Sequence, residues 1–104
     1  MNKVMKPQLA RIYQRQFKSQ ADADAFIEAA ALIEDRISAV DMKYRLYQSD
    51  DDPLMVTEIW EYPDEDAMEW VQSSMEGASA VPRRFNPETT SITATVKVAI
   101  DKSE

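Results

Sequence analysis

Residues 54–70, Leu-Met-Val-Thr-Glu-Ile-Trp-Glu-Tyr-Pro-Asp-Glu-Asp-Ala-Met-Glu-Trp, narrow the choice of fold more than any other stretch of the chain. Leu54, Val56, Glu58, Trp60 and Tyr62 alternate with Met55, Thr57, Ile59 and Glu61. Period two in β-branched and aromatic residues predicts a strand. Pro63 has no amide N–H to give a ladder and stops it. Asp64 then supplies a cap, and Glu65 and Asp66 favour the positive end of a helix dipole. Ala67, Trp70, Val71, Ser74, Met75 and Ala78 recur at helical spacing as the buried stripe. Gly77 closes this helix, or the stripe runs past it.

The rest of the chain falls into place around this strand and helix. Residues 41–48 alternate Met42, Tyr44, Leu46 and Gln48 against Lys43, Arg45 and Tyr47, a second strand. Ser49-Asp50-Asp51-Asp52-Pro53 joins the two as a hairpin, because Ser and Asp bond their own backbone and Pro presets its dihedral. It lacks the central Gly and closing Glu of a calcium loop. Residues 9–17 place Leu9, Arg11, Tyr13, Arg15 and Phe17 on one face of a strand. Ala10, Ile12, Gln14 and Gln16 take the other, so neither face is purely apolar. Ser19, with Asp22 three positions on, starts a helix whose stripe is Phe26, Ile27, Ala30, Ile33, Ile37 and Val40. Residues 78–87 read as irregular. Residues 89–100 form a last strand with Ile92, Ala94, Val96, Val98 and Ile100 in alternation.

This order predicts an α+β chain with the ferredoxin-like βαββαβ arrangement, a four-stranded antiparallel sheet carrying both helices on one face. Residues 1–104 make one domain, with a core over about 8–100 and loose ends at 1–7 and 101–104. The apolar row of the last strand, with Ile59 and Met55, leaves the second sheet face in need of cover. A symmetric homodimer through that face, closing a dimeric α+β barrel, is the simplest expectation.

Composition removes whole classes of function. The 12 basic and 19 acidic residues give a charge of −7, which repels phosphate backbones and anionic lipid and argues against nucleic-acid and membrane partners. There is no Cys and no His, so thiol nucleophiles, Ser-His-Asp triads and the usual metal and haem ligands are missing. One glycine, Gly77, excludes the dinucleotide and phosphate-loop fingerprints. Met-Asn-Lys-Val-Met-Lys-Pro at the start is not a signal peptide and no run is long enough to span a bilayer, so the expected location is cytoplasmic.

Asp-Met-Lys-Tyr-Arg-Leu-Tyr-Gln-Ser-Asp-Asp-Asp-Pro followed by Val-Thr-Glu-Ile-Trp-Glu-Tyr-Pro-Asp-Glu-Asp-Ala-Met-Glu-Trp resembles the antibiotic biosynthesis monooxygenase-like family of dimeric α+β barrels. The resemblance covers roughly residues 9–100, and its specific part is 44–70. It implies a cofactor-independent monooxygenase acting on a small aromatic or quinol-type metabolite, with neither metal nor flavin. The pocket Trp of the family corresponds to Trp60. The Asn found four residues before it falls at Val56, and the His of the haem-degrading branch has no counterpart here. The alternative is a non-catalytic barrel that binds a small apolar or aromatic ligand, or none.

Trp60 is either core or a pocket wall, since an indole covers much area and its N–H wants a partner when buried. Glu58 shares its face, towards the helices. It is either ion-paired across the sheet with Arg11 or Arg15, or a general base for a phenolic proton. Arg83, Arg84 and Asn86 form a compact basic cluster that would grip an anionic ligand as a lid, or face solvent. Tyr13, Tyr44 and Tyr62 are candidate donors to a ligand, with packing the other explanation. Met42, Met55, Met68 and Met75 fill gaps and tolerate a flat ligand.

Overall fold

The structure, a computed structural model, describes residues 6–32, 40–75 and 86–102, the side chains of 74 and 75 excepted. Its elements are β1 (Leu9–Gln16), α1 (Gln20–Ala30), β2 (Lys43–Gln48), β3 (Met55–Tyr62), α2 (Glu65–Met75) and β4 (Glu88–Thr95). The four strands make one antiparallel sheet in the order β2-β3-β1-β4. This is the expected ferredoxin-like α+β topology. No helix among the described residues is long and apolar enough to cross a membrane.

Local chemistry sets the boundaries. The Ser19 hydroxyl accepts from the Asp22 amide at 3.1 Å and caps α1. Asp64 accepts from the Ala67 amide at 2.8 Å and begins α2 directly after Pro63. In the hairpin, Ser49 accepts from the Asp52 amide at 3.2 Å and Asp52 from the Leu54 amide at 3.1 Å, so the side chains close the turn.

β3 is the central strand of the core. Val56, Glu58, Trp60 and Tyr62 are all buried, while the alternating Met55, Thr57, Ile59 and Glu61 are half-buried on the opposite face. The buried face meets two apolar clusters. Val56 packs with Phe17, Ala23 and Phe26, bringing in α1, and the two phenyl rings lie 5.2 Å apart. Trp60 and Tyr62 pack with Ala67 and Val71 of α2, and Val40, Met42 and Met68 close around them. Glu58 stands between the clusters, at the seam where one helix gives way to the other.

The structure corrects the sequence reading in three places. β4 ends at Thr95, not at residue 100, because its partner β1 runs out at Leu9; Val96 donates one last bond to the Gln8 carbonyl at 2.8 Å. Val98 and Ile100 therefore lie outside the ladder, 77% and 75% exposed. Trp70 is 40% exposed, since Ala67 and Val71 hold the inner face of α2 and the intervening indole lies at its edge. β2 starts at Lys43, two positions later than the alternation suggests. Ile33, Ile37, Gly77, Ala78 and the irregular segment up to residue 85 lie outside the described residues.

Candidate functional site

The helix side of the sheet brings the candidate residues together by register. Arg11 is opposite Trp60, Tyr13 opposite Glu58 and Arg15 opposite Val56 on β3, while Tyr44 of β2 faces Trp60 from the other side. Facing side chains on neighbouring strands have Cβ atoms about 4.5–5.5 Å apart and diagonal ones about 7–8 Å, within reach of long side chains. Glu58 is thus encircled by Tyr13, Arg15 and Tyr44.

Its carboxylate is 2% exposed, and each oxygen has a donor. Arg15 Nε donates to Oε1 at 2.8 Å, the ion pair across the sheet. The Tyr44 hydroxyl donates to Oε2 at 2.5 Å. A buried carboxylate is tolerable only when paired and hydrogen-bonded, and here it is both. Burial, then the negative charge of Glu58 and the bond to it, push the Tyr44 phenol well above its ordinary pKa of 10.0, against the opposing charge of Arg15. Tyr44 therefore keeps its proton at neutral pH and serves Glu58 as a donor. Tyr62 is raised from the same value, chiefly by burial, with Tyr13 and Glu58 adding and Arg11 opposing.

Tyr13 is held between two cations. The Arg11 and Arg15 guanidinium carbons lie 5.1 and 4.8 Å from its ring centroid, and its hydroxyl oxygen accepts from Arg11 at 3.2 and 3.4 Å. Trp60 meets the Tyr44 ring edge-on at 4.6 Å between centroids. Its indole Nε1 is the one fully buried side-chain polar atom among the described residues without a hydrogen-bond partner. An indole N–H buried without an acceptor costs free energy and is a donor held in reserve.

Glu58, Trp60, Tyr13, Tyr44 and Tyr62 thus share one side of the sheet. Asn86 does not join them: it is exposed ahead of β4 with φ at 35°, a left-handed conformation that Asn tolerates. Arg83 and Arg84 lie outside the described residues. Sequence reasoning missed the bond from Tyr44 to Glu58 and the place of Thr93, which accepts from Arg11 at 2.7 Å. The signal for the first was the shared alternation of β2 and β3, which puts both residues on one face without fixing their offset. A hollow of about 220 Å³ lies on the opposite sheet face, lined by Lys43, Arg45, Tyr47, Ile59, Glu61 and Asp101. The sheet separates it from Trp60, so the two are distinct features.

No family model and no curated protein matches the chain. Solved structures do. A dimeric ferredoxin-like protein from an uncultured marine organism superposes with a TM-score of 0.77 at 10% identity, over 94% of this chain and 95% of that one. A variant of SnoaB, a cofactor-independent oxygenase from Streptomyces nogalater, matches with a TM-score of 0.70 at 13% identity, over 93% and 100%. A monooxygenase from the gene ActVA-Orf6 of Streptomyces coelicolor, in complex with nanaomycin D, matches at 0.67 and 16%, over 93% and 94%. Matches this complete at such low identity establish architecture, since one fold hosts many chemistries. The chain shares the fold of these proteins, a ferredoxin-like α+β architecture.

Proposed function

We propose that this protein is a homodimeric barrel that takes a planar aromatic phenol or quinol on the helix side of its sheet, against Trp60, and oxidises it with dioxygen without metal or flavin. The observation that carries this reading is the buried Glu58–Tyr44 pair beside an indole N–H with no acceptor. The pair offers a proton route. The phenolic proton of the substrate passes to the Tyr44 oxygen as Tyr44 passes its own to Glu58. The phenolate left behind is electron-rich enough to reduce dioxygen. One oxygen atom enters at a ring C–H and the other leaves as water with two hydrogens from the substrate, which supplies the four electrons, so that a phenol becomes a quinone and a quinol a hydroxyquinone. Similarity to the cofactor-independent oxygenase SnoaB supports the same reading.

The second sheet face supports the dimer. Ile59, Ile12 and Ile92 line up across β3, β1 and β4, with Ala10 and Ala94 beside them. Ile92 is 57% exposed, and a second copy would cover this row. Similar solved structures are described as dimeric.

Oxygen uptake with a panel of hydroquinones tests the chemistry. Protein-dependent uptake should fall about a hundredfold in Tyr44→Phe, the scale of a lost acid–base group, and fall likewise in Trp60→Phe. A second reading, a barrel that binds the same ligands without turning them over, is favoured by Val56 in the place of a polar residue and by a carboxylate with both oxygens engaged. Saturable binding without protein-dependent oxygen uptake would select it.

A further inference from the structure

The two arginines on the helix side of β1 differ in one respect. Arg15 is neutralised by Glu58 at 2.8 Å, while Arg11 has no carboxylate partner among the described residues. Its contacts are neutral: the Thr93 hydroxyl at 2.7 Å, the Tyr13 hydroxyl at 3.2 and 3.4 Å and the face of the Tyr13 ring. A guanidinium carries five N–H donors, so donors remain after these bonds are made. Arg11 is half-buried, and a cation in that setting with no carboxylate partner among the described residues keeps its charge unspent.

The residue opposite Arg11 on β3 is Trp60, whose buried Nε1 has no acceptor. A neutral donor and a positively charged one, both with hydrogen-bonding capacity unspent, thus stand on facing positions of adjacent strands. The indole ring packs in the apolar core, but packing accounts for neither donor, because an apolar pair would fill the same space without an orphan N–H or a cation. Thr93 and Tyr13 hold the guanidinium in place, so little side-chain entropy is left to lose when a ligand binds.

We propose that Arg11 and the Trp60 indole N–H together receive an anionic oxygen, so that the ligand of this site is a planar aromatic acid, a ring bearing a carboxylate or an equally acidic enol, and not a neutral aromatic. This rests on the reading of Trp60 as the wall of an aromatic site. It assigns the anion to β1, in place of the basic cluster at Arg83 and Arg84. It also gives the acidic surface a role in selection: general repulsion of anions is overcome only where Arg11 and a ring-sized contact act together.

Two planar probes of equal size separate the two ideas: 2-naphthoate and its neutral counterpart 2-naphthamide, titrated calorimetrically into the intact protein. A charge-assisted bond in a half-buried site predicts naphthoate tighter by about tenfold or more. Arg11→Gln should remove that preference while leaving naphthamide within about twofold, and Arg11→Lys, which keeps the charge and loses the fork, should fall between. Lys18→Gln, an exposed site carrying the same charge change, should alter neither. Equal binding of both probes to the unsubstituted protein, or an Arg11→Gln loss shared by both, overturns the anion receptor and leaves the aromatic site standing. Failure of both probes to bind overturns the aromatic site and the receptor with it. Circular dichroism of each variant, matched to the parent, guards the comparison, and Arg11→Lys carries the test if Arg11→Gln does not fold.

Discussion

Removing Arg15 is the sharpest test of the interior, because it strips one partner from a carboxylate that cannot reach water. Arg15→Met keeps the aliphatic stem and removes the guanidinium, leaving Glu58, 2% exposed, with Tyr44 alone. Breaking a buried pair from one side costs about 3–5 kcal/mol. The surviving Tyr44 bond and the 15% exposure of Arg15 place the expected loss at the lower end, about 3 kcal/mol. For a domain near 100 residues this is a fall in Tm of about 12–24 °C. Glu58→Gln should cost less, about 1–2 kcal/mol, because the amide still accepts from Tyr44 and the freed guanidinium keeps its 3.3 Å bond to Thr89. Arg15→Met combined with Glu58→Leu should recover most of the single-mutant loss, since an apolar pair of similar volume replaces a buried ion pair at little net cost. Urea unfolding at one fixed protein concentration measures all five proteins, Glu58→Leu alone included, the fixed concentration being needed for a chain proposed to associate. Arg15→Met within about 0.5 kcal/mol of the parent, or a double variant as unstable as the sum of the singles, refutes a buried, mutually dependent pair.

Two further outcomes follow from the same geometry. Tyr44 and Tyr62 have pKa values raised above 10.0 in the folded chain, so above about pH 10 the unfolded chain loses phenolic protons that the folded one keeps. Stability from these groups is complete below that pH and falls as it is exceeded; Tyr44→Phe should flatten the alkaline limb of a Tm–pH curve, and an unchanged limb would count against the burial of that phenol. On the second sheet face, Ile12→Glu should halve the mass seen by light scattering at micromolar concentration while leaving ligand binding at Trp60 within about threefold, as expected for a site on the far side of the sheet. A parent that already has the mass of one chain would remove the dimer.

The parts of this structure that could be read from the sequence are those fixed by side-chain alternation and capping. β3 was legible because its inner and outer residues differ along its whole length, and α2 because Pro63, Asp64 and the acids that follow mark its start. The end of β4 was not, because Val96, Val98 and Ile100 keep alternating after the partner strand has run out, and a side-chain pattern carries no information about a neighbour's length. The site divides in the same way. Placing Glu58 and Trp60 on one face needed only period two. Choosing Arg15 over Arg11 as the partner of Glu58 needed the β1–β3 register, which pairs Tyr13 with Glu58 and leaves Arg11 beside the indole. The Tyr44 bond depended on the offset across the hairpin, set by how Ser49 and Asp52 close the turn.

The central claim is that a flat aromatic ligand rests against Trp60, and one measurement reaches it directly. In Trp70→Phe, which replaces the 40% exposed indole, all tryptophan emission comes from Trp60. Titrated without oxygen with 1,4-dihydroxy-2-naphthoate, a diol that also carries a carboxylate, that emission should quench saturably at a stoichiometry of one per chain. Emission that does not change while the diol is bound, or no binding at all, contradicts the account.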